Sequence, residues 1–242
     1  MIRAAALLLL ALAALTGTAA PASARSLQVG VDDDGVLLGG GDTADDAVSA
    51  WQKLGVDTVR LQVSWSRVVP DPGSDTPPPG FVAADPDSPG YHWGIIDAAV
   101  DRLAAAGIEP ILMLDGPPPL WASGNPSLGN PRYRPSAPAF GAFAAAAAQR
   151  YGTRADHYIL WNEPNLPLWI QPQANCGRKR CSPASADTYR AMVNAGYQAI
   201  HGVDPAATVL IGALAPAGGD LKSRNANTRP LTFLRALGCL DG

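Results

Sequence analysis

Apolar segments of two kinds alternate along the chain after residue 26. Short, nearly continuous apolar runs are typical of strands that are covered on both faces, and there are five of them. Between these runs lie longer segments whose apolar residues recur every three or four positions, as on one side of a helix. The predicted strands are 27–31, 56–65, 108–114, 157–160 and 208–214, and the predicted helices are 43–54, 95–106, 140–151, 186–201 and 230–240.

This order of strand and helix predicts a parallel sheet with crossover helices. The loops that follow the last four strands are long, whereas the turns that follow the helices are short. Such asymmetry is typical of an α/β fold of the TIM (β/α)8 barrel type, with its functional groups at one rim, and about the first five β/α units are expected here. A doubly wound sheet is the alternative, but the glycine run 39–41 lacks the spacing of a dinucleotide-binding loop.

The first 24 residues have the pattern of a secretory signal peptide. Arg3 precedes an apolar run at 4–15, and small residues at 22–24 offer a cleavage site. We therefore expect residues 25–242 to form one partial barrel domain in a secreted protein, with a retained anchor as the alternative. No later stretch is long and apolar enough to predict a membrane span.

Composition and charge narrow the class of protein further. The 242 residues are 47% hydrophobic and 16% charged, which suits one large domain with a substantial core. The formal net charge of −3 gives no indication of a nucleic-acid partner. Three adjacent aspartates, 32–34, lack the spacing of a calcium loop and predict a solvated turn, and Thr43 is expected to cap the helix after it.

Three cysteines occur, two of them close together. Cys176 and Cys181 enclose a short polar loop with the basic run 178–180, which we interpret as a solvated loop face. In an exported protein this spacing predicts a local disulfide, and two unpaired thiols are the alternative. No histidine lies nearby at ligand spacing, so no metal is expected there, and no cofactor is indicated elsewhere. We expect the partner of Cys239 to lie beyond the end of this chain.

The most informative stretch is Trp161-Asn162-Glu163-Pro164-Asn165. It follows the apolar run 157–160, which predicts a short buried strand. Pro164 cannot donate to a strand ladder, so the strand should end before it. An amide and a carboxyl group therefore lie side by side where a buried strand ends, and in an α/β barrel that position is typical of a catalytic carboxylate.

These residues resemble the Asn-Glu-Pro signature on the fourth strand of the glycoside hydrolase clan with (β/α)8 barrels, which includes cellulase-like family 5 and xylosidase-like family 39. The segment 59–65 resembles the clan's second strand, and 91–97 is similar to the segment that opens the second helix. The resemblance implies that Glu163 is the general acid/base of a glycosidase acting on β-linked carbohydrate. It implies that Asn162 binds the sugar hydroxyl next to the anomeric carbon, and that Arg60 holds a carboxylate in place.

Aromatic residues near the expected rim are candidates for binding the substrate. The rings of Trp65, Trp121 and Trp169 are large and amphipathic, and could stack on sugar faces or else pack into loops and walls. Trp161 is expected in the core. His157, at the start of its strand, is expected to be structural.

One departure from the clan leaves the function open. A retaining glycosidase needs a second carboxylate, which the resemblance places on a seventh strand. Glu109 begins its strand, Asp115 ends the third, and the aspartates at 32–34 end the first, so none matches that position. We therefore expect the chain to stop about three units early and to be inactive alone. Three hypotheses follow: part of a secreted retaining glycosidase, a non-catalytic carbohydrate-binding barrel fragment, or an unrelated barrel enzyme using Asp115 and Glu163.

Overall fold

A single parallel sheet organises the protein. The computed structural model describes residues 27–240, so the expected signal peptide lies outside the described residues. The sheet has five strands in the order β1-β2-β3-β4-β7, and every pairing is parallel. These strands are β1 Gly30–Val31, β2 Thr58–Ser64, β3 Glu109–Asp115, β4 His157–Leu160 and β7 Thr208–Ile211, while β5 Ala174–Cys176 and β6 Cys181–Pro183 form a separate antiparallel hairpin.

Helices follow each strand of the large sheet. The longest two, in the fifth and sixth positions below, pack closely, because a Cβ on Gly141 would lie only 3.2 Å from the Cβ of Ala195. Among residues 27–240, no helix combines the length and the apolar character needed to cross a membrane. The helices are α1 Asp34–Gly39, α2 Gly41–Lys53, α3 Trp65–Val68, α4 Gly94–Ala106, α5 Ala137–Tyr151, α6 Ser185–Val203 and α7 Pro230–Leu237.

Alternation along β2 separates a helix-covered face from an open one. Val59, Leu61 and Val63 are buried, whereas the intervening polar residues of the strand are partly exposed. Successive side chains point to opposite faces of a sheet, so Arg60 and Gln62 share the face that a barrel turns inward. That face carries the polar groups from which a site can be built.

The two edges of the sheet remain unpaired within residues 27–240. β1 pairs only with β2, and β7 pairs only with β4. On β7, Leu210 is 43% exposed and Ile211 is 53% exposed, although the strand is apolar. The α/β class, the parallel sheet and its five strands agree with the prediction from sequence. That these strands are the first five of eight stays a prediction.

Two local predictions near the first strand are wrong. The aspartates at 32–34 do not form a merely solvated turn: α1 begins at Asp34, whose Oδ2 accepts a hydrogen bond from the Gln62 N–H at 3.2 Å. Asp34 thereby extends the pairing of β2 beyond the end of β1. Thr43 does not cap α2, because that helix already begins at Gly41, and its N-cap position is Gly40. Both glycines have a left-handed φ, near +68° and +62°, which permits the sharp turn between α1 and α2.

Candidate active site

The backbone turns sharply where β4 ends, and this turn carries the predicted catalytic residue. Trp161 and Glu163 have left-handed φ angles of 73° and 38°. The Trp161 N–H still donates to the Leu114 carbonyl at 2.8 Å, while the Glu163 N–H donates to the Ala213 carbonyl at 2.9 Å. Such conformations cost about 1–3 kcal/mol each in residues other than glycine, and they concentrate at functional sites. Hydrogen bonds to both neighbouring strands therefore hold Glu163 in place.

Glycines on both neighbouring strands make room for this turn. A Cβ on Gly212, which follows β7, would lie 2.3 Å from the carbonyl oxygen of Trp161. A Cβ on Gly116, which follows β3, would lie 2.7 Å from the Trp161 indole ring. Neither position tolerates a side chain unless the turn moves, so both glycines contribute to the position of Glu163.

The carboxylate of Glu163 has one tryptophan as its hydrogen-bond partner. Trp169 donates from Nε1 to Oε2 of Glu163 at 3.2 Å. A turn between the two positions this ring, since the Leu166 N–H donates to the Glu163 carbonyl at 2.9 Å and the Trp169 N–H donates to the Leu166 carbonyl at 3.0 Å. Asn162, Glu163 and Trp169 are partly exposed, whereas Trp161 is buried. The structure therefore brings three of the predicted site residues together at the rim.

Asn165 is a positioning residue whose role the sequence did not reveal. It is fully buried, and its Oδ1 accepts the Ala215 N–H at 2.9 Å. Its Nδ2 donates to the carbonyls of Ala215 and Thr228, both at 3.0 Å. The side chain thus ties the loop that carries Glu163 to the loop after β7. The only signal in the sequence is an asparagine directly after Pro164, in a position that also suits an ordinary turn.

Asp115 places a second carboxyl group at the same rim. Leu114 pairs with Leu160, so Asp115 lies level with Trp161 on the neighbouring strand. It is fully buried; Oδ2 accepts a hydrogen bond from Nε2 of Gln62, and Oδ1 has no partner among residues 27–240. Burial raises the pKa of Asp115 to about 7, even though the Gln62 hydrogen bond acts in the opposite direction. Asp115 can therefore hold a proton near neutral pH.

Arg60 has Asp32, and not Glu163, as its carboxylate partner. It pairs in register with Ile111, and Ile111 pairs with His157, the first residue of β4. Arg60 thus lies level with a point three residues, or about 10 Å, before the end of β4. Its guanidinium binds Asp32 through two hydrogen bonds, one of them from Nε at 2.9 Å. The carboxylate that Arg60 holds is that of Asp32, at mid-height on the open face of the sheet.

Trp65 and Trp161 belong to a buried aromatic cluster. Trp65 is fully buried and stacks on Phe143, with ring centroids 5.4 Å apart and planes 5° apart. No ring face is left for a sugar, so the prediction that Trp65 stacks on substrate is wrong. The core position of Trp161 is confirmed. Trp121 meets Trp65 edge-on at 6.1 Å and is partly exposed, so it forms the outer wall of the cluster.

A separate cluster of ionisable groups lies at the opposite end of the strands. His157 Nδ1 lies 2.5 Å from Glu109 Oε1 and 2.6 Å from Asp156 Oδ1. Burial alone would lower the pKa of His157, but the two carboxylates outweigh it and raise that pKa. These three donor atoms are close enough to share a metal ion. Glu109 and His157 begin their strands and Asp156 directly precedes β4, so the cluster lies away from the rim that carries Glu163.

The predicted disulfide is present. Cys176 and Cys181 are bonded, with the sulfurs 2.01 Å apart, and they join the facing ends of β5 and β6. The hairpin belongs to the loop after β4, the same loop that carries Trp169. Cys239 is exposed and forms no disulfide within the described part of the chain.

Solved structures with a similar fold include a glucosidase and a glycoside hydrolase, and no protein-family model matches the chain. The virulence factor SghA, in complex with its substrate analog salicin, matches with a TM-score of 0.50 and 18% identity over 89% of this chain and 52% of its own. A glucosidase from Croceicoccus marinus matches with a TM-score of 0.50 and 18% identity over 72% of this chain and 34% of its own. A family 39 glycoside hydrolase from Bacteroides cellulosilyticus WH2 is a weaker match, with a TM-score of 0.46 and 16% identity over 76% of this chain and 31% of its own.

These matches show a fold and no more. The chain has the α/β architecture of part of a glycoside hydrolase barrel, including the parallel sheet. It spans between about a third and a half of the matched chains. Activity and substrate therefore have to be argued from the site itself.

Proposed function

We propose that the protein is a secreted retaining glycosidase for β-linked oligo- or polysaccharides, and that this chain supplies its acid/base half. The observation that carries the proposal is the carboxylate of Glu163 at the C-terminal rim of a parallel sheet, beside Asn162 and hydrogen-bonded by Trp169. In barrels of this class the strand ends at that rim hold the catalytic groups. Export agrees with the disulfide between Cys176 and Cys181, a bond that persists in oxidising compartments.

Glu163 has two tasks in such a reaction. First it donates its proton to the glycosidic oxygen while a second carboxylate attacks the anomeric carbon, so that the leaving sugar departs as an alcohol. Then the ionised Glu163 takes a proton from water, whose oxygen displaces the enzyme carboxylate and releases the second sugar. The resemblance places the attacking carboxylate on the seventh strand of the eight-stranded barrel, which is a different strand from β7 and is not part of the five-stranded sheet of residues 27–240.

The other predicted site residues take supporting roles. Asn162 is proposed to bind the hydroxyl next to the anomeric carbon, a contact that strengthens in the transition state. Trp121 and Trp169 present the partly exposed rings on which a sugar could stack. Arg60 is proposed to orient Asp32 on the open face of the sheet. Asp115 is proposed to orient Gln62 on the same face.

A carbohydrate-binding protein without turnover is the second candidate. The observation that favours it is the pair of partly exposed rings at the rim, those of Trp121 and Trp169, which can hold a sugar whether or not it is cleaved. Both candidates predict glycan binding at the rim. They differ in whether the bound glycoside is cleaved.

The test uses the natural gene product that contains this chain. We expect hydrolysis of β-glycosides with retained anomeric configuration, followed by NMR of the first-formed sugar. Glu163→Gln should lower turnover of natural oligosaccharides by about 10²–10⁴-fold, and should lower it much less for aryl glycosides, whose leaving groups need no proton. Glu109→Gln, at the opposite end of the strands, is the matched control. Unchanged turnover of natural oligosaccharides by Glu163→Gln would refute the assignment, and binding without any turnover would support the second candidate.

A further inference from the structure

Three loops of the rim meet around a polar cavity of about 360 Å³. The loops are those that follow β3, β4 and β7 in the chain. None of the residues that line the cavity is acidic. Its walls are instead rich in hydrogen-bond donors, including Tyr133, Arg134, Gln171, Asn175 and Arg224.

Hydrogen bonds between the three loops fix the shape of this cavity. The Arg134 N–H donates to the Gln171 carbonyl at 2.7 Å, and Asn130 Nδ2 donates to Gln171 Oε1 at 2.9 Å. The Gln173 N–H donates to the Arg224 carbonyl at 2.7 Å. Arg134 is held with a left-handed φ of 46°, a conformation that surrounding structure must enforce in a residue other than glycine. These bonds fix the backbones that carry Arg134 and Arg224, while the two arginine side chains themselves are exposed.

The two guanidinium groups of the cavity lack a neutralising partner. Neither Arg134 nor Arg224 forms an ion pair with a carboxylate anywhere in residues 27–240, whereas Arg102 and Arg150 on the helices do. The Arg134 guanidinium lies 5.6 Å from the ring centroid of Tyr133, which orients it without neutralising it. Two like charges on one concave surface attract an anion, and a concave surface concentrates their field.

The cavity and Glu163 belong to the same rim and share a loop. Trp169, which binds the Glu163 carboxylate, is two residues from Gln171 in the cavity wall. The Cα atoms of these two residues can be at most about 7 Å apart. Arg132 strengthens the connection by donating from Nε to the Leu168 carbonyl at 2.6 Å. The partner of the Glu163 carboxylate and the wall of the cavity therefore lie on one short segment of the loop after β4.

We propose that this cavity binds an anionic substituent, a carboxylate or a sulfate ester, on the glycan whose glycosidic bond lies at Glu163. The proposal rests on the function proposed above and narrows it to acidic oligosaccharides. Arg134 and Arg224 match the planar, multiply accepting geometry of such groups. Tyr133 and the neighbouring amides of Gln171 and Asn175 can bind the hydroxyls of the same sugar unit.

The experiment compares matched tetrasaccharides in calorimetric titrations at constant ionic strength, with the full chain. The probes are a β-linked glucose tetrasaccharide, its glucuronate counterpart and its sulfate ester. We expect one or both acidic probes to bind at least about tenfold more tightly than the neutral one, and which of them does so identifies the anionic group. Arg134→Gln and Arg224→Gln should each lower the ratio of acidic to neutral affinity by about tenfold. Arg134→Lys should restore part of it, because the charge is kept but the fork geometry is lost.

Lys53→Gln is the matched control, since it removes the same charge from the exposed end of α2. An equal loss in Lys53→Gln would overturn the proposal in favour of a long-range field, and equal binding of acidic and neutral probes would overturn it outright. Free sulfate that competes as well as the acidic tetrasaccharide would overturn the glycan part. Glu163→Gln keeps the two proposals separate. A preference for acidic probes without hydrolysis that depends on Glu163 refutes only the proposed function. Hydrolysis that depends on Glu163 without a preference for acidic probes refutes only the proposed anion site in the cavity.

Discussion

Replacing Asp115 by asparagine should stabilise the protein above neutral pH. Asp115 is fully buried, and its folded-state pKa of about 7 compares with about 3.9 in an unfolded chain. Between these values the folded protein binds a proton that the unfolded chain does not, so stability falls as the pH rises. The penalty is absent below about pH 4 and complete above about pH 7. Three pKa units correspond to about 4 kcal/mol, a large share of a typical stability of about 5–15 kcal/mol.

The assay is urea denaturation of the wild type and Asp115→Asn at pH 5 and at pH 8. At pH 5 the carboxyl of Asp115 costs about 1.5 kcal/mol, and at pH 8 it costs about 4 kcal/mol, so the benefit of the variant should grow by about 2–3 kcal/mol between the two. The asparagine carbonyl can still accept the Gln62 hydrogen bond. Any titration of His157 occurs in both proteins and cancels in the difference.

Asp46→Asn is the control for a general effect of charge, because Asp46 is exposed on α2. The difference in the free energy of unfolding between Asp46→Asn and the wild type should be the same at pH 5 and at pH 8. An equal effect of Asp115→Asn on stability at pH 5 and at pH 8 would refute the raised pKa of Asp115. That result would mean that the carboxyl is ionised in the folded protein at both pH values.

Two further predictions concern the Glu163 turn and an ion pair on the helices. Gly212→Ala should destabilise the protein by about 1–3 kcal/mol and lower glycoside turnover, because its Cβ would lie 2.3 Å from the Trp161 carbonyl oxygen. Asp97→Asn should cost about 1–3 kcal/mol at neutral pH, as Arg150 donates to the Asp97 carboxylate from Nε at 2.8 Å and from a terminal nitrogen at 2.5 Å. Burial alone would raise the pKa of Asp97, but these contacts outweigh it and lower that pKa, so the contribution is present above about pH 4 and is lost as the pH falls further.

Matched variants separate these effects from nonspecific ones. Gly219→Ala adds the same methyl group where no heavy atom lies within 4 Å, and it should unfold in urea like the wild type. Asp101→Asn removes a carboxylate that is 68% exposed in its pair with Arg154, and it should cost less than Asp97→Asn in denaturation at pH 7. Equal effects within either pair would contradict the corresponding argument.

The sheet could be predicted from sequence because its signals are local. The run 157–160 is apolar and is followed by Pro164, and β4 has the same bounds in the structure. The disulfide between Cys176 and Cys181 was predictable for a similar reason, since five residues of separation and an exported chain are enough to suggest it. The start of α2 was predicted less accurately, since the helix begins two residues before Thr43. Gly40 and Gly41 form the turn there, and no capping side chain marks the start of the helix in the sequence.

Register and burial could not be predicted in the same way. Alternation places Arg60 on the open face of β2, but its height along the sheet depends on its pairing with Ile111 and, through that residue, with His157. Trp65 follows a strand end and so resembles a rim residue, yet α5 supplies Phe143 to cover it. Asp115 precedes a Gly-Pro run that is typical of an exposed loop. In each case the deciding contact comes from a segment distant in sequence, which the local pattern does not encode.

The geometry at Glu163 is set by elements on both sides of its own loop. The Trp161 N–H is held by Leu114 at the end of β3, the Glu163 N–H by Ala213 after β7, and Asn165 by Ala215. All of these contacts lie within residues 27–240 and involve no barrel strand beyond the five-stranded sheet. The position of the proposed acid/base residue is therefore independent of the proposed attacking carboxylate. It follows that glycan binding at the rim can be measured separately from bond cleavage, and that a binding defect in Gly212→Ala would report on the turn itself rather than on loss of a nucleophile.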